Sequence, residues 1–328
     1  MMNIEYYLPE IKITNPQLAE SFPDWNYLDF EKKIGIAERH IAAVDETALD
    51  LAQKAAEKLF LDNDKNKVDF ILFCTQSPDY YLPTTACILQ SRLNLRNDIG
   101  ALDFNLGCSG YVYGLALAKG LLKSSIARNI LFIVSETYSK HIHEKDKINR
   151  AIFGDGAVAT LVNNETIEIG EFILGTNGNG YDKLIVKNGC FRNHDILEAE
   201  QYEYAKGSFT SDNHLYMNGP EIYSFTLSTV PDLVFETANK NKLDMNEIDY
   251  FIFHQANEYM LKSLRNKINI PEEKFCISFR NTGNTVSATI PIALKDALSS
   301  GVIGIGSKVM LVGFGVGLSW GATIIHIK

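Results

Sequence analysis

The chain has few cysteines, and their spacing excludes a disulfide framework and a zinc site. Only five of its 328 residues are cysteine, an odd number, and no two of them form a CxxC pair. Secreted disulfide scaffolds and zinc-binding modules need paired or closely spaced cysteines. The four cysteines other than Cys108 are therefore expected to be small buried apolar side chains, and the expected location is cytoplasmic.

Long apolar runs are also absent. The chain starts Met-Met-Asn-Ile-Glu, with no basic segment followed by an apolar stretch. No later segment approaches the roughly 18 consecutive apolar residues that a membrane helix needs. We therefore expect neither secretion nor a membrane partner.

Positive charge is scarce too, since the formal net charge is −9. Nucleic-acid-binding surfaces need clustered Lys and Arg, so no nucleic-acid partner is expected. Lys262, Arg265 and Lys267 form one local basic group, which either binds an acidic partner or is a solvated helix face. With 46% hydrophobic residues, the chain can bury a large core in one or two units.

The same pattern of segments occurs twice in the chain. Three segments of the first half resemble three of the second in the same order: residues 68–74 with 248–254, 129–134 with 308–312, and 156–162 with 321–327. Each half alternates β-branched or aromatic runs with helical stretches, which is typical of a sheet covered by helices. We therefore predict an α/β protein with halves at residues 1–168 and 169–328. Residues 177–213 predict an irregular insertion that covers the cleft between the halves.

Cys108 lies in an unusual local sequence, Asn-Leu-Gly-Cys-Ser-Gly. It follows a strand-like segment at 101–104 and precedes a helix-like segment at 115–118. A thiol at such a turn lies at the positive end of a helix dipole, which favours the thiolate. A lone cysteine is more often a buried apolar filler, but the flanking glycines favour a nucleophile at this position.

His254 and Asn284 follow predicted strands of the second half, in the sequences His-Gln-Ala-Asn and Asn-Thr-Gly-Asn-Thr. Reactive groups gather at the carboxyl ends of strands in such sheets, so both can converge with Cys108. Taken singly, the histidine can be a satisfied core residue and the asparagine can serve a turn. Together they favour acyl capture by the cysteine, with the other two side chains donating hydrogen bonds to an enolate.

A glycine-rich turn near the C-terminus adds a further candidate. The sequence Gly-Phe-Gly-Val-Gly ends at Gly317, and the backbone N–H groups of Gly315, Val316 and Gly317 are predicted to form an oxyanion hole for the acyl oxygen. No metal is expected, because His141 and His143 alone are too few ligands.

On these motifs the sequence resembles β-ketoacyl-acyl carrier protein synthase III, a family of thiolase-like condensing enzymes. The similarity runs from residues 34–40 to 318–322, and the three active-site motifs match residues 107–110, 254–257 and 283–285. The resemblance implies a duplicated, five-layered α/β/α/β/α fold and a homodimer. It also implies that Cys108 takes an acyl group from acyl-CoA or acyl carrier protein. Decarboxylative condensation with malonyl-acyl carrier protein would then use His254 and Asn284, with no cofactor.

The resemblance also implies binding roles. Leu82, in the loop 80–84, would fill the acyl pocket of a dimer partner, and Arg150 matches an arginine that binds substrate. A surface for the acyl carrier protein is expected at five residues in and after the histidine motif: Gln255, Asn257, Lys262, Arg265 and Lys267. Three positions depart from the family. Asp29 stands in place of an adenine-stacking tryptophan, with Trp25 four residues earlier, Tyr259 replaces an arginine, and Val316 replaces a glycine of the C-terminal turn.

Three alternatives use the same residues. Related acyltransferases pass the acyl group to an alcohol or an amine, but they often lose the His and Asn pair kept in this chain. Papain-like cysteine hydrolases share the order Cys, His, Asn, but their characteristic sequence around the cysteine is absent. A catalytically silent subunit of a heterodimer would not need an intact set of three.

Overall fold

Two mixed sheets organise the structure. The computed structural model describes residues 2–193 and 198–328. The strands of the first half are β1 (Asn3–Tyr7), β2 (Ile11–Thr14), β3 (Glu38–Ile41), β4 (Phe70–Cys74), β5 (Gly100–Phe104), β6 (Ile130–Glu136) and β7 (Gly156–Val162). Its helices are α1 (Asn15–Glu20), α2 (Tyr27–Ile34), α3 (Ala48–Leu59), α4 (Thr85–Arg92), α5 (Gly110–Lys123) and α6 (Lys147–Ile152).

The second half has a longer set of strands and fewer helices. The strands are β8 (Ile167–Thr176), β9 (Leu184–Ile185), β10 (Tyr202–Ala205), β11 (Ser208–Thr210), β12 (Tyr216–Met217), β13 (Tyr250–Phe253), β14 (Lys308–Gly315) and β15 (Ser319–Ile327). The helices are α7 (Gly219–Lys240), α8 (Glu258–Ile268) and α9 (Thr289–Ser299). No helix in the described part of the chain is long and apolar enough to cross a membrane.

The two sheets repeat one topology. The first has the order β1-β7-β6-β4-β5 and the second has β8-β15-β14-β13. In both, a parallel pair (β4 with β6, β13 with β14) continues into an antiparallel neighbour (β7, β15). A parallel bridge from Phe251 to Phe275 stands in the second sheet where β5 stands in the first. The predicted internal duplication is therefore confirmed.

Helices cover both faces of each sheet. The helices α5 and α9 lie between the sheets and contact both, α3 and α4 cover the outer face of the first sheet, and α7 covers that of the second. The helix α8 joins the same outer core through Met260 and Leu264. Because its two faces are covered, a strand such as β6 is apolar and buried along its whole length up to Ser135 and Glu136. The predicted α/β/α/β/α fold is confirmed.

The change from one sheet to the other comes slightly before the predicted boundary. The strand β8 begins at Ile167 and pairs with β15, so residues 167 and 168 already belong to the second sheet. Between β7 and β8 the chain turns at Asn163, whose side-chain oxygen accepts hydrogen bonds from the backbone N–H groups of Glu165 and Thr166, both at 3.1 Å. This Asn-centred turn, and not the strand after it, separates the halves.

The insertion at 177–213 is more regular than expected. It contains the strand β9, which pairs with β12, and the ribbon formed by β10 and β11. Residues 194–197 of the predicted insertion lie outside the described residues. The prediction that all four other cysteines are buried is wrong for two, because Cys87 and Cys190 are exposed while Cys74 and Cys276 are buried.

Candidate active site

Cys108, His254 and Asn284 line one cavity of about 420 Å³ between the two halves. Cys108 comes shortly after β5, His254 directly after β13, and Asn284 a few residues before α9. The parallel strands β4, β5 and β6 and the pair β13 and β14 end at this side of their sheets, as expected for reactive groups in open α/β sheets. The predicted convergence of the three side chains is confirmed.

Cys108 is held at the N-terminus of α5 by close backbone packing. A side chain at position 315 would place its Cβ 2.7 Å from the Cys108 Sγ, so only glycine leaves the thiol room there. The hydroxyl groups of Ser109 and Ser319 lie 2.7 Å apart and tie this turn to the start of β15. The glycines that flank Cys108 also have steric reasons, because a Cβ would lie 2.5 Å from the Gln76 Oε1 at position 107 and 2.5 Å from the Cys74 Sγ at position 110.

Burial dominates the electrostatics of the thiol. Burial raises the pKa of Cys108 to about 12, and hydrogen bonds from the backbone N–H groups of Val316 and of Cys108 itself oppose this rise. Burial therefore opposes the stabilisation of the thiolate that is expected from the helix N-terminus. Of the three predicted oxyanion donors, Val316 contacts the sulfur, Gly315 lines the cavity and Gly317 faces Ser319.

His254 is buried and neutral. Burial lowers the pKa of the ring to about 3, and a hydrogen bond to the backbone of Val286 opposes this only partly. Nδ1 lies 2.7 Å from the Thr289 hydroxyl oxygen, which is also 2.9 Å from the Val286 carbonyl oxygen. The Thr289 hydroxyl donates its proton to the Val286 carbonyl, so Nε2 becomes a donor into the cavity only in the tautomer in which that proton turns to Nδ1.

Asn284 is oriented through its side-chain oxygen. The backbone N–H of Val286 donates to the Asn284 Oδ1 at 2.9 Å. The Asn284 N–H donates to the Ile152 carbonyl at 2.9 Å, and its carbonyl accepts from the Gly154 N–H at 3.0 Å. Because the oxygen is occupied by the backbone, the Nδ2 hydrogens remain as donors for a ligand in the cavity.

The structure corrects the prediction for Gln255. Its side chain is buried, and its amide nitrogen donates to the carbonyl of Phe253 at 2.6 Å. Its amide oxygen accepts from the Ser278 N–H at 2.9 Å. Since these bonds use the side chain inside the protein, Gln255 cannot contact an acyl carrier protein.

The other residues predicted for carrier binding lie on or at the start of α8. Asn257 caps the helix by accepting from the Met260 N–H at 2.9 Å and also lines the cavity. Lys262 pairs with Glu258, and Arg265 pairs with Glu272 at 2.7 Å. Lys267 donates to the Leu227 carbonyl at 2.8 Å. Carboxylates therefore offset much of the positive charge expected there.

Arg150 does not reach the cavity that contains Cys108. Ile148 and Ile152 of α6 line that cavity, and the residue midway between them faces the opposite side of a helix. Arg150 lines a separate cavity of about 450 Å³ and donates to the Glu144 carbonyl at 2.8 Å. Arg150 therefore does not contact the cavity around Cys108, and its role in binding substrate stays a prediction.

Leu82 lies at the surface, and so do Asp29 and Tyr259, which differ from the residues expected in the family. Leu82 is 80% exposed and contacts neither cavity beside Cys108. At the mouth of the cavity Tyr259 stacks on Tyr223 with a centroid distance of 5.4 Å, and the Lys33 ammonium lies 5.2 Å from the Tyr259 ring centroid. Trp25 packs against Phe30 instead of lining the mouth.

Two further buried residues support the site and were missed in the sequence. Thr289 contacts His254 as described, and Glu136 ends β6 beside the site. Glu136 accepts hydrogen bonds from the Gln76 N–H at 3.1 Å and from the Ser287 hydroxyl at 3.0 Å, so it joins the two halves. Burial raises its pKa to about 8. A carboxylate at the end of a wholly apolar strand was the signal that could have found it.

No cluster of three or more His, Cys, Asp or Glu side chains within residues 2–193 and 198–328 could hold a metal ion.

Comparison with known proteins identifies two matching family models. Residues 102–178 match the model described as 3-oxoacyl-[acyl-carrier-protein] synthase III, and residues 238–327 match its C-terminal counterpart. A relative named beta-ketoacyl-[acyl-carrier-protein] synthase III 2, from Halalkalibacterium halodurans, is 36% identical over 324 residues, or 98% of this chain and 94% of the relative.

Solved structures are similar over the whole chain. A crystal structure of a 3-oxoacyl-(acyl-carrier-protein) synthase III has a TM-score of 0.95 and 46% identity, and covers 99% of this chain and 98% of its own. A 3-oxoacyl-(acyl-carrier protein) synthase from Burkholderia xenovorans LB400 has a TM-score of 0.90 and 34% identity, with 100% and 93% covered. The similarity in fold and the similarity in sequence therefore point to the same family of synthases.

Proposed function

The chain belongs to the β-ketoacyl-acyl carrier protein synthase III family of condensing enzymes, and on this premise we propose that it extends an acyl group held on Cys108. The acyl group comes from an acyl-CoA or an acyl carrier protein. Condensation with malonyl-acyl carrier protein gives a β-ketoacyl-acyl carrier protein, an intermediate of fatty acid synthesis. The single observation that carries the proposal is the convergence of Cys108, His254 and Asn284 on one cavity.

In the first step, the Cys108 sulfur attacks the thioester carbonyl. The carbonyl oxygen accepts from the N–H groups of Val316 and Cys108, which contact the sulfur in the resting state. The carbon–sulfur bond of the donor breaks, and its thiolate takes the proton that the Cys108 thiol loses. This proton transfer must accompany attack, because burial keeps the free thiol protonated.

In the second step, the thioester carbonyl of malonyl-acyl carrier protein lies between His254 and Asn284. Loss of CO₂ leaves an enolate, whose oxygen accepts hydrogen bonds from the His254 Nε2 and the Asn284 Nδ2. A neutral histidine suits this role because it donates a hydrogen bond to the enolate oxygen without carrying the extra proton that would quench the carbanion. The enolate carbon attacks the acyl group on Cys108, and the released thiolate takes up a proton.

The phosphopantetheine arm of either substrate enters through the mouth formed by Lys33, Tyr223 and Tyr259. The exposed ammonium groups near this mouth, on Lys33 and Lys262, are the charges available to an acidic carrier surface, with Arg265 and Lys267 farther along α8. Asn257 stands at the start of that helix. The reaction needs no metal or redox cofactor, since its steps only form and break carbon–sulfur and carbon–carbon bonds of the acyl and malonyl groups.

A homodimer completes the proposal. The strand β5 is an edge of the first sheet, and Leu102 on it is 44% exposed. The loop that carries Tyr80, Tyr81 and Leu82 is exposed on the same half. An unpaired sheet edge and exposed apolar side chains are features of a self-association surface, through which Leu82 would reach the acyl pocket of the partner.

The roles are tested by intact-protein mass after incubation with acyl thioesters and then malonyl-acyl carrier protein. Cys108→Ala should take up no acyl mass. His254→Ala and Asn284→Ala should take up the acyl group and fail to release it as β-ketoacyl product, with condensation lowered on the order of 100-fold or more.

An acylated Cys108→Ala protein would refute the assignment of the nucleophile. Acyl mass that wild type passes to an alcohol or an amine, with no response to malonyl-acyl carrier protein, would establish the acyltransferase alternative. Acyl-enzyme that only hydrolyses would favour a hydrolase.

A further inference from the structure

A second cavity, of about 820 Å³, is lined by residues that adjoin the site, among them Val316, Leu184 and Tyr138. Val316, whose N–H contacts the Cys108 sulfur, lines this cavity, and Leu184 lines both cavities. The Tyr138 side chain also lies close to the thiol. Burial is the largest cause that raises the pKa of Tyr138, and the charge of Cys108 is the next. An acyl group on Cys108 that extends past Val316 and Leu184 enters this second cavity.

The part of this cavity beside the thiol is polar. The Tyr138 hydroxyl donates to the Gln76 Oε1 at 3.1 Å, and the Gln76 Nε2 donates to the Asn105 Oδ1 at 3.1 Å. A Cβ at position 107 would lie 2.5 Å from the Gln76 Oε1, which places this oxygen next to the residue before Cys108. We call Gln76, Asn105, Tyr138 and His141 the polar chamber.

The polar chamber holds both donors and acceptors that its internal bonds do not use. Nε2 of His141 faces the Gln76 carbonyl oxygen at 3.3 Å and must be its donor, so Nδ1 is left as an acceptor with no partner among the described residues. Burial lowers the pKa of His141, which keeps the ring neutral. The Asn105 amide hydrogens and one Gln76 amide hydrogen remain as donors, and the Tyr138 oxygen can still accept.

The charges around the cavity decide whether a hydroxyl or a carboxylate on the acyl group can bind in the polar chamber. Among the described residues that line it there is no Lys or Arg, and Asp79 contributes a carboxylate. A second carboxylate on the acyl group would therefore have no countercharge, whereas a neutral hydroxyl can donate and accept at once.

We propose that the acyl group accepted by Cys108 carries a hydroxyl within the first few carbons of its thioester carbonyl, and that the polar chamber selects it. This inference rests on the proposed function and names its substrate class. An unsubstituted chain would displace water from these polar groups without replacing its hydrogen bonds, which disfavours binding. The farther part of the cavity, with Val186 and Leu215, is apolar and accepts the rest of the chain.

The test compares acylation of the full-length enzyme by butyryl-CoA and by 2-, 3- and 4-hydroxybutyryl-CoA, and by the same groups on acyl carrier protein. Intact-protein mass gives the rate of acyl uptake for each donor. At least one hydroxylated isomer should acylate Cys108 about tenfold faster than butyryl, the value expected from one or two net hydrogen bonds. Tyr138→Phe should reduce that preference at least threefold.

Tyr113→Phe is the matched control, because its hydroxyl bonds the Gly175 carbonyl at 3.0 Å and it lines neither cavity. It should keep the wild-type preference. Faster uptake of butyryl than of every hydroxylated isomer would overturn the inference and leave the proposed function intact. No acyl uptake from any of these thioesters would overturn both.

Discussion

Burial and the helix N-terminus act in opposite directions on the Cys108 thiol. Burial holds its pKa at about 12, against the opposing N–H groups of Val316 and of Cys108 itself. The sequence could place this thiol at a helix N-terminus but could not show how completely the second half would cover it. Removal from water disfavours the thiolate because desolvation acts on its full charge, whereas the helix dipole favours it.

This predicts the pH dependence of alkylation by iodoacetamide. Far below the pKa, the thiolate fraction rises about tenfold for each pH unit. The alkylation rate of Cys108, followed by intact mass, should therefore keep rising between pH 7 and pH 10. The experiment needs a Cys87→Ser and Cys190→Ser background, since both side chains are exposed. A plateau reached near pH 7 would mean that the resting form is already the thiolate.

Residue types and motifs were enough to identify the three central side chains, but not the direction of their neighbours. Gln255 was predicted at the surface but is buried. Its side-chain amide forms hydrogen bonds with the backbone of Phe253 and Ser278, which the sequence does not show. Arg150 was predicted at the substrate, but the short helix α6 turns it away from the face that carries Ile148 and Ile152. The sequence does not show in which direction each of these side chains points, because only packing decides that.

At the scale of elements, the turn between β14 and β15 packs directly against the Cys108 thiol. Gly315→Ala would place a Cβ 2.7 Å from both the Cβ and the Sγ of Cys108. The turn or the thiol must shift, and we expect acylation to fall on the order of 100-fold, as small misplacements of reacting groups commonly do. The measurement is acyl uptake by intact mass, with folding checked by circular dichroism.

Gly304→Ala is the matched control, since no heavy atom lies within 4 Å of a Cβ at that position. It should acylate at the wild-type rate. Acylation of Gly315→Ala at the same rate as Gly304→Ala would show that the turn does not confine the thiol.

The elements themselves were partly predictable. The apolar runs that occur in both halves predicted the central strands of the two sheets, because those strands are buried on both faces. The start of β8 was not predicted, because it is an edge strand of mixed burial, with no continuous apolar run to mark where it begins. The small ribbons of the insertion are two to four residues long, too short for a periodic pattern.

At the scale of the whole molecule, the exposed edge at β5 predicts self-association. Leu102→Lys should shift the protein from dimer to monomer in sedimentation velocity, because a charge on an edge strand opposes pairing with a second copy. Leu61→Lys, at an exposed leucine beyond α3, should leave the dimer unchanged. A wild-type protein that sediments as a monomer would contradict the proposed dimer.

The most direct test of the condensation itself is a single turnover of acylated wild-type enzyme with malonyl-acyl carrier protein labelled in its free carboxyl group. The acyl mass on Cys108 and the labelled CO₂ are followed together. The account predicts that each acyl group lost is matched by one CO₂ and one β-ketoacyl-acyl carrier protein. Loss of the acyl mass without CO₂ release would contradict decarboxylative condensation and with it the roles given to His254 and Asn284.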